Sequence, residues 1–174
     1  MILDSLLTFT AASGNTDSPT TGTQYSTNII DLGISGLPNS AAGGGARDLG
    51  VGDAPALKIH VDVTTAFVSG TSLQILLQGA PDNGSGAPGS YTTMFSGAVV
   101  AEASLVIGAR LADIDVPRVV PGQPIPRYLR LAYVTVGTHT AGAIEGNIVL
   151  DRFDQLIGTG GALSGYPAGI TVAN

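Results

Sequence analysis

Leu57-Lys58-Ile59-His60-Val61-Asp62-Val63 alternates without a break. Leu57, Ile59, Val61 and Val63 fall on one side, and Lys58, His60 and Asp62 on the other. Successive side chains of a β-strand leave opposite faces, so this is strand periodicity. One face belongs to a core and the other to water. The same period returns downstream. Leu73, Ile75 and Leu77 alternate with Gln74 and Gln78. Leu129 and Leu131 stand opposite Arg130, and Ile144, Ile148 and Leu150 alternate with Glu145, Asn147 and Asp151.

Working outward, strands are expected at residues 2–9, 25–32, 56–67, 72–78, 91–95, 104–116, 127–136 and 143–151, with 170–172 as a ninth. Gly, Pro, Asn and Asp divide them. Helical periodicity is nearly absent. Many short strands without helices imply an all-β, antiparallel sandwich or barrel. A jelly roll needs eight strands in two sheets, and the count fits; an immunoglobulin-like sandwich with an extra strand fits it too. The whole of 1–174 reads as one domain.

Three segments stand apart from that core. Residues 11–24, rich in Thr, Ser, Gly and Asn, read as a flexible link after an N-terminal arm or strand, so that 1–24 forms one unit. Residues 34–46 hold Pro38 and Gly43-Gly44-Gly45 and read as an inserted loop. Residues 152–174, Gly-rich from Gly158, read as an extended tail. Leu3, Leu6, Leu7 and Phe9 form an apolar cluster, which serves either as a first strand of the sandwich or as an arm that docks on a neighbour.

Composition narrows the function. The 174 residues include no cysteine, which excludes disulfides and thiolate chemistry. Net charge is −6, with Lys58 the one lysine, so there is no basic footprint for nucleic acid. Aromatics are 5%, too few for a base-stacking platform. No apolar run approaches the ~20 residues of a membrane span. The N-terminus lacks a basic start and a cleavage site, which points to a protein made in the cytosol. Charged residues are 11%, against ~25% in a typical domain. A surface that lies against neighbours in an assembly accounts for that, as does a surface of Ser and Thr.

Motifs for chemistry are few. Gly84-Ser85-Gly86-Ala87-Pro88-Gly89 has the spacing of a dinucleotide loop, but Pro88 and a strand follow where a helix is required, so it reads as a hairpin loop. Asn83-Gly84-Ser85 is a turn former. Asp113 and Asp115 share a strand face, with Arg110 and Arg118 near in sequence, and read as solvated or salt-bridged. His60 and His139 belong to no metal-ligand or triad spacing and read as surface residues. Neither a cofactor nor a catalytic residue is nominated. Arginines among apolar and aromatic neighbours remain: Arg127 and Arg130 around Tyr128, and Arg47-Asp48 after the glycine run. This is the composition of protein interfaces. An Arg–Asp bridge within the chain explains them equally well.

These residues also carry a likeness. Asn28-Ile29-Ile30-Asp31-Leu32-Gly33, Arg47-Asp48-Leu49-Gly50-Val51-Gly52 and Pro126-Arg127-Tyr128-Leu129-Arg130-Leu131-Ala132-Tyr133 follow one another in that order. They resemble the blocks of a capsid cement (decoration) protein family of tailed bacteriophages, found on the head of the short-tailed Bordetella phage. Leu73-Gln74-Ile75-Leu76-Leu77-Gln78-Gly79 and the strand at 143–151 are similar as well, so the resemblance runs roughly over residues 1–151. Residues 34–46 fill what is a short step in the family, and the tail after Asp151 is longer.

The resemblance implies a jelly-roll subunit on the outer surface of an icosahedral head. It implies binding across joints between major capsid protein subunits of the HK97 type, and self-association as a dimer or trimer. The contact groups expected are Leu3, Leu6, Leu7, Phe9, Arg47, Asp48, Arg127, Tyr128 and Arg130. The rival reading is a carbohydrate-binding jelly-roll module of a phage or cell surface, for which the lack of Trp is unfavourable. An enzyme on a β-barrel has no paired acid and base to rest on.

Overall fold

A computed structural model describes residues 7–10, 16–33, 57–117 and 122–149. They are all-β apart from short turns of 3-10 helix. The strands are β1 (Gly22–Tyr25), β2 (Ile30–Asp31), β3 (Lys58–Ala80), β4 (Thr92–Ala101), β5 (Arg110–Asp115) and β6 (Tyr128–Val149). All join one antiparallel sheet in the order β1-β6-β3-β4, with β2 also on β6 and β5 also on β3.

The described residues hold six strands: two expected pairs are continuous, the strand expected at 25–32 is split in two, and of that expected at 2–9 the described part contributes only the bridge of Thr8 to Asn147. The segments at 56–67 and 72–78 are one strand of 23 residues, and those at 127–136 and 143–151 merge into one of 22. A straight strand of that length would run ~75 Å. Both halves of each strand nevertheless feed a single hydrophobic cluster, so the β3–β6 ribbon bends. The pairing shows where. Below the bend Ile59 faces Ile148 and Val63 faces Ile144, odd against even. Above it Leu73 faces Thr135 and Leu77 faces Leu131, odd against odd. The register has slipped by one residue between Val63 and Ser72 through several bulges. That slip is what allows Leu129, Leu131 and Tyr133 to share an interior with Ile144 and Ile148.

His139 and Phe67 fill the bend, ring against ring at 5.0 Å, edge to face. His139 is 2% exposed and lies on the backbone of Gly70, where an added Cβ would fall 1.9 Å from the imidazole. Gly142, at φ +137°, gives Phe67 the same close approach. His139 is thus a packing residue and not the surface residue expected. His60 is buried too. Its cross-strand neighbours Asn147 and Asp113 flank it on both sides, and Asn147 is itself buried.

The N-terminal segments join this core. The Phe9 amide donates to the Gly146 carbonyl at 2.9 Å, and the Phe9 ring is buried among core side chains. Phe9 therefore lies inside its own subunit and is not a surface contact group. Residues 16–24, expected as a flexible link, are bound to the sheet. Asp17 and Ile144 exchange both backbone hydrogen bonds at 2.9 Å, and the buried Asp17 carboxylate accepts from the Tyr133 hydroxyl at 2.8 Å. The strand expected at 25–32 is split into β1 and β2. Ser26 turns its hydroxyl to the Asn28 carbonyl there, and Thr27 caps Asp17. Of residues 104–116, Ser104 ends the 3-10 turn Glu102–Ser104, and only Arg110–Asp115 extend as a strand. The expected loop at 34–46, the tail at 152–174 and the strand at 170–172 lie outside the described residues, as do Leu3, Leu6, Arg47, Asp48 and Arg118.

Candidate functional site

The arginines of the 126–131 block stand at the start of β6, where β2, β3 and the hairpin loop before β4 converge. The backbone fixes Arg127 first. Its amide donates to the Ala80 carbonyl at 2.9 Å, and its carbonyl accepts from the Leu32 amide at 2.7 Å. Its guanidinium then forks Asp31, Nε to Oδ1 at 2.8 Å and Nη2 to Oδ2 at 2.9 Å, while Nη1 donates to Asp82. A bidentate pair of this kind is stronger and more directional than a lone contact. Asp82 also accepts from the amides of Gly84 at 2.7 Å and Gly86 at 3.0 Å. Those amide donors, with the neighbouring Arg127, hold its carboxyl below the usual carboxylate range. The Gly84–Gly86 segment is therefore an Asp-organised hairpin loop, as its sequence suggested.

Tyr128 points beneath Arg127, whose guanidinium carbon lies 4.9 Å from the ring centroid. Tyr128 is 5% exposed and its hydroxyl has no hydrogen-bond partner. Burial raises that phenol above its ordinary range.

Arg130 is held differently. Its Nε donates to Gln78 Oε1 at 2.9 Å. The guanidinium lies between two rings, 3.6 Å from the centroid of Tyr25 and 3.6 Å from that of Tyr91. Two cation–π contacts fix a flexible side chain. Lys58 holds Asp115 at 2.6 Å, and Arg110 lies 3.4 Å from Asp113. Among the described cations, Arg130 alone has no carboxylate.

The expected contact residues thus separate. Arg127, Tyr128 and Arg130 are brought together; Arg127 and Tyr128 brace the subunit, and Arg130 sits in an aromatic frame. Leu7 packs partly buried against the core beside the buried Phe9. The partners that build this edge, Tyr25, Asp31, Gln78, Asp82 and Tyr91, were not singled out from the sequence as contact groups. Asp31 lies in the 28–33 block, but a ring stacked on an arginine leaves no mark in a linear pattern. No group of three or more His, Asp or Glu among the described residues is placed to hold a metal ion. None of the described helical turns is long and apolar enough to cross a membrane.

The family model Bbp16 matches residues 15–148. The chain belongs to the Bbp16 family. The name suggests a protein of a Bordetella phage. The Bbp16 match begins two residues before Asp17 and ends one residue before the close of β6, so it contains the whole sheet but for Val149, and the arginine edge with it. Leu7 and Phe9 precede it. No curated protein matches the chain.

Proposed function

We propose that this Bbp16-family chain is a non-enzymatic virion protein, a cement on the outside of an icosahedral phage head. It clamps neighbouring major capsid protein subunits of the HK97 type and acts as a homo-oligomer of jelly-roll subunits. The observation that carries this reading is the family match over residues 15–148. The geometry supports it through what the reactive groups do: Arg127, Asp31 and Asp82 hold three segments together, and Asp17 ties Tyr133 to Thr27. These are bracing roles within the sheet.

A packed head is under outward pressure, and its weak points are the joints between capsomers. A protein that binds only the expanded lattice stabilises it by mass action. Many symmetric copies multiply a modest contact through avidity. The test heats purified heads with and without this protein and follows DNA release. Heads that carry it should rupture at a higher temperature. Equal rupture temperatures would discard the cement role.

A further inference from the structure

We propose that the outer face of the upper half of the sheet is the surface that meets the shell, with Arg130 as the seat for a carboxylate of a capsid subunit. This rests on the cement reading above. The register places four rungs side by side on that face. They are Val136–Ser72–Ala101, then Thr23–Val134–Gln74–Val99, then Tyr25–Ala132–Leu76–Ser96, then Arg130–Gln78–Thr93. The opposite face carries Leu73, Ile75, Leu77, Leu131 and Tyr133 and is the core. A solvated sheet face ordinarily alternates toward polar and charged groups. Here Val99 is 64% exposed, Val136 53% and Tyr25 51%. Across the four rungs the one charged side chain is Arg130. Ala132 and Ser72 are buried beneath their neighbours, so the exposed apolar groups of this face are Val99, Val136 and Tyr25. A face depleted of charge and carrying Tyr and Arg has the make-up of a protein contact.

Charge complementarity names the partner group. The guanidinium of Arg130 spends Nε on Gln78 and its two faces on Tyr25 and Tyr91. Its Nη groups remain as a rigid fork, the geometry that matches a carboxylate. The incoming carboxylate is assigned to the capsid subunit, the partner that the cement reading supplies. The chain itself carries 13 Asp and Glu, so a carboxylate of a second copy is the rival outcome that the cross-link distinguishes.

The test uses expanded heads stripped of this protein and co-sedimented with the full chain over a salt series. Arg130→Gln and Val99→Glu should each weaken binding at least about tenfold. Val99→Glu should melt close to wild type because Val99 is exposed; Arg130→Gln gives up its contacts with Tyr25, Tyr91 and Gln78, so its binding is compared at a temperature where its own melting curve shows it folded. Arg130→Lys adds a second readout. Carbodiimide should couple the introduced amine to an Asp or Glu of the capsid subunit, a cross-link absent from wild type and located by mass spectrometry. If wild type binds and the two folded variants bind equally well, this docking face is wrong while the cement role stands. A cross-link to a second copy instead overturns the capsid subunit as the source of the carboxylate. If wild type ignores the heads, both this inference and the function it rests on fall.

Discussion

The Arg127 clamp and the glycine seats of the bend are where single residues decide stability. A Cβ at Gly70 would overlap the His139 ring, so Gly70→Ala should destabilise the protein by ~1–3 kcal/mol, the usual cost of overpacking. His139→Ala removes the obstacle, so the double variant should lose less than the sum of the two single ones. A double-mutant cycle by urea unfolding measures that coupling. The Asp82 prediction concerns pH. Its carboxyl titrates below the ordinary ~3.9, so the stability it contributes is in place at neutral pH. That stability is lost as pH falls through the ordinary value toward the depressed one. Asp82→Asn should be less stable than wild type at pH 7, and the gap should close in acid. Denaturant midpoints from pH 7 to pH 3 give the answer; a gap that persists unchanged at low pH contradicts the ion pair.

At the scale of elements, the β3–β6 ribbon depends on its one-residue slip. Because side chains alternate, removing one residue from the bend turns one half of a strand inside out. Deletion of Thr138, exposed in β6, should expose either Leu129, Leu131 and Tyr133 or Ile144 and Ile148, and abolish cooperative folding. Deletion of Ser85, in the exposed hairpin loop, should be tolerated. Circular dichroism and thermal melts of the two deletions separate these outcomes. The alternation of 57–63 and of 72–78 was legible in the sequence, and the faces it assigned to Ile59, Val61, Leu73 and Ile75 are the buried ones. The union of those segments into one strand was not legible. Residues 64–71 hold Thr, Ser and Gly that serve equally as a turn, and only pairing with 137–143 commits them to bulged strand.

For the whole molecule, the question is what one continuous core includes. Phe9 lies in it, so Phe9→Ala should cost ~3–5 kcal/mol. Removal of residues 1–10 should leave a chain that does not fold cooperatively. An arm that served only neighbours would leave the melting temperature of the isolated chain unchanged, and calorimetry of the truncated chain discriminates the two. The sequence by itself determined the β class, the inner faces of the stretches at 57–63 and 72–78, the hairpin loop around Gly84, and the arginine block at the head of β6. Those follow from side-chain period and turn chemistry, which are local. Only the tertiary structure decided that His60 and His139 are buried, that Arg127 spans Asp31 and Asp82, and that Tyr25 and Tyr91 close on Arg130. Those partners lie tens of residues apart in the chain. Pairing, register and the bend bring them together, and none of the three is a property of any one segment.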